Sequence, residues 1–491
     1  MTSFGIHIGN TSACLAVSKD GKTDVVANPT GDRVTPAVVG FTDSEIIVGL
    51  AAKQARLRNM SNTIVNNKNL VVGRLSDEWS SASPVTISED AEGRLVYEVE
   101  YKEKDFKTTP GDVLVKIYKY IHDIAETHSS DVDQCQTVVT VPLEYTAEQR
   151  GSVRRCAGQA GFRVSQVISE PAAACLAYGL GQDSDDQGER YHCLVFRAGG
   201  LSTTLSVVLV SGGSYTVLGS QDVDMGGHQA TEVLVQYLGA EFKQKYKEDI
   251  LVNKRGKAKL ATGAETVKHV LSTLDTAHCF VESLFDGMDF SSNVTRARFD
   301  NQLSKFVSDL LSPISTLLTK VGLSSDDISK VVMAGGTSKI VKLQSALAGK
   351  FCKAEVLSSY APDEVIAIGA AVQASYINNE PTSACSEKMM SLSRDIIAVV
   401  DGADDDIRML AEDTTIPCKR SVSLPSSERD SVEVTLFWGQ DKSVSLTKLS
   451  LTPVTNKSKL SLSVHIHRDS STHVTLMDKT SGNTSDVMLK S

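Results

Sequence analysis

Two phrases far apart in the chain each carry an apolar run into a glycine turn and out again into a second strand. The first is Phe4 to Val17, FGIHIGNTSACLAV, and the second is Leu194 to Ser206, LVFRAGGLSTTLS. Glycines at such turns let backbone N–H groups approach an anion closely, which predicts two phosphate-binding hairpins. A third glycine turn lies at Val331 to Lys339, VVMAGGTSK. Together the three turns predict a nucleotide held between two similar lobes, although either hairpin alone is weak evidence.

The hairpins lack the carboxylates that hydrolysis of a nucleotide requires. Aspartates near such glycines commonly hold a hydrated Mg²⁺ and orient the attacking water. Here His7 precedes the first glycine turn and Arg197 precedes the second. The sequence therefore predicts a site that is built to hold phosphate but poorly equipped to cleave it.

Length and composition bound the remaining possibilities. A chain of 491 residues is too long for one core, so two to four domains are expected. The net charge of −10 argues against a surface devoted to nucleic acid, and we expect no direct nucleic-acid binding to be required. No apolar run approaches the roughly 20 residues of a membrane helix, and the first residues lack a signal-peptide pattern, so we expect a cytosolic protein away from membranes. The nine cysteines are scattered without a C-x-x-C motif, which favours reduced core thiols.

The pattern of strands and helices predicts an α/β nucleotide-binding domain over residues 1–380. Lobe I covers about 1–182, lobe II about 189–365, and a closing helix 363–377, with the lobe boundary in the polar break Gly181 to Gly188. Within lobe I, strands and helices alternate, and Thr146 with Gln149 forms a capping box. Lobe II repeats this cycle, with helices predicted at Glu265 to Thr273 and Asp300 to Leu318.

The character of the chain changes after the closing helix. A polar, Met- and Ser-rich linker is predicted at 381–395, and short alternating stretches follow over 396–491. Alternation of this kind with turns between predicts a small antiparallel β-sandwich domain. No long helical segment follows it, so the sequence predicts a β domain without a helical lid.

These phrases resemble the 70-kDa heat-shock protein (DnaK-type) chaperones over nearly the whole chain. The fold that this resemblance implies is an actin-like, two-lobed nucleotide-binding domain followed by the truncated β domain. Within the family, the chain is most similar to short, atypical members of the ribosome-associated complex. The matching phrases fall in family order: GIHIGNTSAC, ANPTGDRVTPAVV, VVTVP, ISEPAAACLAYGL, DFSSNVTRARF, VVMAGGTSKI and PDEVIAIGAAVQA.

The resemblance implies an ATP site and assigns residues to it. Its departures are His7, Arg197, Thr204 and His228, of which the first three stand where the family has aspartates and the last where it has a glutamate. Mg²⁺ is possible, but its usual carboxylates are replaced. The implied nucleotide-binding residues are Gly9, Asn10, Thr11, Ser12, Gly199, Gly200, Ser202, Gly226, Gly227, Glu265, Lys268, His269, Ser272, Gly335, Gly336, Thr337, Lys339 and Asp363.

Three further residues carry family roles by the same resemblance. Lys68 matches the catalytic lysine, Glu170 the metal-side glutamate, and Pro142 the switch between the lobes. Plainer interpretations remain open for each charged site. Lys68 is equally well a solvated side chain, Glu170 a residue serving only its helix N-terminus, and Glu265 with Lys268 a surface salt bridge. His7 is better explained as a simple replacement than as a metal ligand, since no second ligand lies at suitable spacing.

Three functions from different classes follow. The first is an ATP-binding chaperone subunit with little or no hydrolysis, working with a zuotin-type J-domain protein at the ribosome to assist folding of nascent polypeptides. The second is an active, ATP-hydrolysing foldase, for which we expect Asp at positions 7, 197 and 204. The third is a sugar or acetate kinase of the same actin-like fold, which does not account for the β domain.

Overall fold

The computed structural model of the chain describes most of its residues. They are 2–71, 73, 84–181, 190–211, 214–379, 392, 394–403, 406–410, 414, 416, 418–424, 430–439, 442, 444–455, 458–467 and 471–489. The expected lobe boundary at 182–188, and 381–391 and 393 of the expected linker, lie outside them.

Lobe I is built on a sheet in which neighbouring strands run in the order β3-β2-β1-β11-β12, with β4 beside β2. Lobe I also contains a three-stranded sheet of order β8-β9-β10 and a small sheet of order β6-β5-β7. Its strands are β1 Ser3–Ile8, β2 Ser12–Lys19, β3 Lys22–Val25, β4 Thr35–Pro36, β5 Val39–Phe41, β6 Ile46–Val48, β7 Thr63–Ile64, β8 Thr86–Glu89, β9 Leu95–Tyr101, β10 Lys104–Thr108, β11 Gln136–Val141 and β12 Val164–Ser169.

Helices cover the sheet of lobe I, and both long ones begin with reciprocal caps. They are α1 Leu50–Ala55, α2 Lys68–Val71, α3 Pro110–Glu126, α4 Ala147–Gln159 and α5 Glu170–Ala177. The capping box expected at Thr146 and Gln149 is confirmed, since each side chain bonds the other's backbone N–H. Helix α3 buries one face, with Val113, Ile117 and Ile121 in the core, as its spacing predicts.

Lobe II repeats the strand order of lobe I. Its sheet runs β15-β14-β13-β18-β19, again with an antiparallel hairpin, a parallel neighbour and a second parallel strand. Its strands are β13 Arg190–Ala198, β14 Thr203–Ser211, β15 Ser214–Val223, β16 Thr276–Phe285, β17 Met288–Thr295, β18 Ile328–Ala334 and β19 Glu355–Leu357, and its helices are α6 Gly227–Tyr246, α7 Lys254–Leu271, α8 Arg296–Gln302, α9 Ser304–Lys320, α10 Val341–Lys350 and α11 Val365–Asn379. The helix expected at 300–318 is in fact divided at Leu303.

Helices α5 and α11 cross between the two sheets and join the lobes. A Cβ on Gly369 would lie 1.7 Å from the carbonyl oxygen of Ala173, and one on Gly5 would lie 2.1 Å from the Ala371 nitrogen. Such distances are possible only without side chains, so glycine is required where α11 meets α5 and β1. The small residues of both helices bury an apolar core of their own.

The C-terminal residues form two packed four-stranded sheets. Their orders are β21-β20-β23-β24 and β22-β25-β26-β27, all antiparallel, around one apolar core. The strands are β20 Ile396–Val400, β21 Ile407–Leu410, β22 Cys418–Ser423, β23 Val432–Trp438, β24 Val444–Leu451, β25 Leu460–Ile466, β26 Thr472–Asp478 and β27 Thr484–Leu489. The antiparallel β-sandwich expected here is confirmed.

Polar side chains join this β domain to the nucleotide-binding lobes. Arg420 on β22 is buried and donates to Ser211 Oγ of lobe II at 2.9 Å and to Met409 O at 2.6 Å. Gln166 of lobe I donates to Ile416 O at 2.7 Å. Burial lowers the pKa of Arg420 to about 10, which leaves its guanidinium charged at neutral pH. The bonds from Arg420 to Ser211 and from Gln166 to Ile416 show that both lobes hold the β domain through buried hydrogen bonds.

Two findings bear on the expectations drawn from composition. The cysteines within the described residues are free thiols, of which Cys14, Cys156, Cys175, Cys193 and Cys279 are buried. Cys352 is exposed instead of buried, and Cys385 lies outside the described residues. Among the helices of the described ranges, none combines the length and the apolar character that crossing a membrane demands.

Candidate nucleotide site between the lobes

The two glycine hairpins have the same backbone geometry. Gly9 N–H donates to Ser12 O at 2.7 Å in the β1–β2 turn, and Gly199 N–H donates to Ser202 O at 2.9 Å in the β13–β14 turn. In each hairpin, the residue two positions before the glycine pairs across the two strands with the residue two positions after the serine. These pairs are His7 with Cys14 and Arg197 with Thr204. Each lobe therefore contributes one copy of the same glycine turn to the cleft.

The turns face each other closely. A Cβ on Gly200 would lie 2.4 Å from Thr11 Cγ2, and one on Gly226 would lie 2.5 Å from Gly199 O. Gly227 N–H and Thr337 Oγ1–H both donate to Gly199 O, at 3.0 and 2.8 Å. The structure thus brings together the hairpins, the start of α6 and the turn after β18.

Four side chains form a cleft ion cluster beside the hairpins: His7, Lys68, Glu170 and Arg197. Lys68 Nζ lies 2.7 Å from Glu170 Oε1, and Arg197 Nε lies 3.0 Å from Glu170 Oε2. His7 Nδ1 lies 3.9 Å from Glu170 Oε1. The side chains of Lys68 and Arg197 are 10% exposed and that of Glu170 is 4% exposed.

Charge states in this cluster follow from burial and from its own charges. Burial lowers the pKa of His7 to about 3, which leaves the ring neutral at physiological pH. Burial alone raises the pKa of Glu170, but Arg197 and Lys68 outweigh it and hold that pKa well below its usual range. Burial also lowers the pKa of Lys68, against the charge of Glu170. One carboxylate therefore faces two cations.

A magnesium ion does not fit this cluster. Mg²⁺ takes oxygen ligands, usually carboxylates with waters, and Glu170 is the carboxylate of the cluster. Both of its oxygens are already engaged by Lys68 and Arg197. His7 Nδ1 is engaged by Thr140 Oγ1 at 2.9 Å. The excess of positive charge also repels a divalent cation.

Lys68 and Glu170 are thus neither solvated nor confined to capping a helix. Glu170 does open α5, but both its oxygens are engaged by cations. Lys68 begins the short helix α2, which places its side chain in the cleft. The plainer interpretations of these two residues are wrong.

Glu265, Lys268 and His269 lie on helix α7 across the cleft. Glu265 Oε1 lies 3.3 Å from Lys53 Nζ of lobe I and 3.7 Å from His269 Nε2. Lys268 Nζ donates to Gly227 O at 3.0 Å and Thr231 Oγ1 at 2.8 Å. Burial lowers the pKa of Lys268 to about 8. Lys268 therefore points toward the first turn of α6, whereas Glu265 connects lobe II to lobe I through its ion pair with Lys53.

The remaining predicted residues lie around the same cleft. Ser272 Oγ donates to Lys268 O at 3.1 Å, and Lys339 Nζ lies 2.6 Å from Asp363 Oδ2. Among the described residues, Asn10 Oδ1 and Asp363 Oδ1 are buried without a hydrogen-bond partner. Two orphaned acceptors mark positions where a ligand's donors would be satisfied.

Pro142, the expected switch, directly follows β11, and Tyr145 N–H donates to its carbonyl at 3.3 Å. Sequence reasoning missed Lys53 and Thr140, which contact Glu265 and His7. The alternation TVVTV places Thr140 in a strand, but its neighbour on β1 is set by a parallel pairing that no local pattern reveals.

The whole chain matches one protein family. The model of the family described as Hsp70 protein matches residues 3–491. The chain belongs to the Hsp70 family. The Hsp70 family consists of ATP-binding chaperones, so the resemblance drawn from the sequence phrases is confirmed, as is the two-lobed fold with a β domain.

Curated relatives agree over their full length. The chain is 39% identical over 503 residues to Heat shock 70 kDa protein 14 of Danio rerio, covering 100% of this chain and 99% of the relative. The Homo sapiens protein of that name is 38% identical over 504 residues, covering 98% of each. The Mus musculus protein is 41% identical over 453 residues, covering 90% and 88%.

Proposed function

We propose that this Hsp70 binds ATP in the cleft between its lobes, hydrolyses it slowly or not at all, and acts as a chaperone subunit. Its partner in this proposal is a zuotin-type J-domain protein, with which it assists nascent polypeptides at the ribosome in the cytosol. The observation that carries the slow-hydrolysis part is the engagement of both Glu170 oxygens by Lys68 and Arg197.

ATP binding is supported by the geometry of the glycine turns. The second hairpin contacts the first where Gly200 leaves no room for a side chain beside Thr11, and the start of α6 contacts the second hairpin where Gly226 lies against Gly199 O. Glycine turns from both lobes, with the Lys268 ammonium at Gly227 O, provide phosphate contacts that need no metal carboxylates.

Slow hydrolysis is supported by what the cleft ion cluster lacks. Hydrolysis requires a polarised phosphate and an oriented water, and loss of one charge-stabilising group commonly costs about 10²- to 10³-fold in rate. His7 is neutral and bonded to Thr140, and Thr204 donates to Asp222 Oδ1 at 2.7 Å. Neither side chain supplies a carboxylate to position water or metal.

The β domain, in this proposal, is a fixed binding surface for the J-domain partner or the nascent chain, uncoupled from an ATP cycle. Its support is the pair of buried bonds from Arg420 to Ser211 and from Gln166 to Ile416. In the docked arrangement these bonds satisfy polar groups that are buried between the β domain and the lobes, and each favours docking by about 0.5 to 1.5 kcal/mol, or more for the charged guanidinium.

Calorimetry with the full chain tests ATP binding, and turnover at saturating ATP tests hydrolysis. We expect binding, with turnover at least about 100-fold below that of an ordinary Hsp70 assayed beside it, both alone and with a J-domain protein. Turnover at the ordinary rate that Lys68→Ala abolishes would instead establish the active foldase.

Peptide dissociation from the full chain, measured with and without ATP, tests the uncoupled β domain. We expect the same off-rate in both conditions. A large nucleotide-dependent change would show that the β domain responds to the cleft and would overturn this part of the proposal. Copurification of native protein then identifies whether a J-domain protein accompanies it.

A further inference from the structure

The cleft ion cluster carries more positive than negative charge. With His7 neutral, the carboxylate of Glu170 contacts one ammonium, of Lys68, and one guanidinium, of Arg197, and all three side chains are nearly excluded from solvent. The charge of Glu144 also acts on Lys68, but less strongly than that of Glu170. A buried unpaired charge is costly, and a fixed excess of one sign attracts a ligand of the other. The excess positive charge of the cluster therefore favours binding of an anion between the hairpins.

Arg197 is placed to meet that anion. Its Nε edge faces Glu170 Oε2, and its Nη1 lies 3.5 Å from the position of a Cβ on Gly199, inside the second phosphate turn. No hydrogen bond from Nη1 or Nη2 to another described residue is present. The planar guanidinium matches two phosphate oxygens at once through its outer nitrogens.

Lys268, on helix α7 of lobe II, adds a third cation near the glycine turns. Its ammonium donates to two neutral oxygens, Gly227 O and Thr231 Oγ1, and not to a carboxylate. Glu265, on the same helix, is turned to Lys53. Positive groups therefore flank the glycine turns from both lobes.

Resting on the proposed ATP site, we propose that the cleft binds the nucleoside polyphosphate as a metal-free anion, with Arg197 in the electrostatic role of the divalent cation. The guanidinium donates to the phosphate oxygens nearest Gly199, and Lys68 holds Glu170 away from them. Addition of magnesium then weakens binding, because the metal complex carries less negative charge and brings a cation toward Arg197.

The decisive experiment measures the affinity of the full chain for ATP by calorimetry, once in excess EDTA and once in excess magnesium. We expect affinity in EDTA to exceed that in magnesium by up to about 10-fold, which corresponds to about 1.4 kcal/mol, and equal affinities would contradict the inference. A site that needs the metal would lose affinity in EDTA.

Three variants assign the effect to Arg197. Arg197→Gln is expected to weaken binding in EDTA by about 10-fold or more, since it removes charge-assisted hydrogen bonds to the phosphate. Arg197→Lys retains the charge and is expected to lose less. Arg255→Asp, on the exposed first turn of α7, makes a larger change of charge away from the cleft and is expected to leave the EDTA-to-magnesium ratio unchanged.

The outcomes separate this inference from the function on which it rests. No binding in either condition, with a cooperative unfolding transition present, overturns both. Binding that requires magnesium overturns only the metal-free inference. Metal-independent binding that Arg197→Gln leaves intact overturns the role of Arg197. Thermal unfolding with and without ATP in EDTA checks that each variant is folded.

Discussion

The β1–β2 and β13–β14 hairpins share a backbone and differ in what they carry. Each closes with a glycine N–H bonded to a serine carbonyl three residues on, and each occupies the same place in the five-strand order that the two sheets share. The first places a neutral imidazole at His7, whereas the second places a guanidinium at Arg197. Repeated backbone geometry therefore sets where an anion binds, and the side chains set the charge that it meets.

The turns also differ at their second position. The first hairpin has Asn10 there, whose Oδ1 is buried and unpaired among the described residues, and the second has Gly200, which leaves no room beside Thr11. The second lobe thus approaches the first through its glycine, and the first contributes side chains. Four changes test how far this asymmetry matters.

The largest effect is expected from Glu170→Gln, because Glu170 pairs with Arg197 of the second hairpin and with Lys68 of helix α2 in lobe I. Removing one partner of a buried ion group leaves the others uncompensated, at about 3 to 5 kcal/mol. Urea unfolding without nucleotide measures the loss. Glu232→Gln, which breaks the half-exposed pair with Lys257, is the control and is expected to cost at most about 1 kcal/mol. Equal losses would show that Glu170 does not hold the second hairpin to lobe I.

Exchanging the second turn residues is expected to act unequally. Gly200→Asn adds atoms within 2.4 Å of Thr11 and should cost about 1 to 3 kcal/mol by overpacking. Asn10→Gly adds none and should cost about 0.5 to 1 kcal/mol through backbone entropy. Denaturant unfolding of both variants compares them. Similar losses would mean that the two turns are equivalent after all.

Acid is expected to destabilise the protein partly through His7. Its pKa is about 3 in the fold, against an ordinary value of 6.5 for histidine. The unfolded chain therefore binds a proton that the fold excludes, and stability falls as pH drops from 6.5 toward 3, by up to about 1.4 kcal/mol per pH unit. His7→Gln should flatten this part of the pH profile of urea unfolding. His269→Gln, on a largely exposed ring, should keep it steep, and an unchanged profile in His7→Gln would contradict the buried neutral ring.

The smallest effect is expected from Thr204→Val, which removes the exposed hydrogen bond to Asp222. Exposed substitutions of this kind usually change stability by about 0.5 kcal/mol or less. Thermal unfolding measures it, and a loss above about 1.5 kcal/mol would give Thr204 a positioning role in the second hairpin.

Much of the fold was predictable because its signals are local. The hairpins, the Thr146 capping box and the apolar face of α3 depend on residues within one turn or one helix face. Helix boundaries were less well predicted. Helix α7 begins at Lys254, well before the expected Glu265, since Asn253 caps it with a side chain to Gly256 N–H.

The candidate site was predicted as a set of residues but not as an arrangement. The glycines of the turns were identified from the turn pattern, and Lys68 and Glu170 from the family resemblance, but the contacts of these residues were not predicted. Lys68 and Glu170 are separated by 102 residues, and nothing local marks them as partners. Lys53 and Thr140 were missed for the same reason.

The sequence by itself determined the repeated turns, the two lobes, the β-sandwich and the presence of His7, Arg197 and Thr204 at the turns. Only the tertiary structure decided that Arg197 and Lys68 share the carboxylate of Glu170, that His7 is neutral, and that Arg420 holds the β domain to lobe II. Turns and periodic faces are set by neighbours along the chain, whereas charge states depend on burial and on partners that only packing brings within a few ångströms.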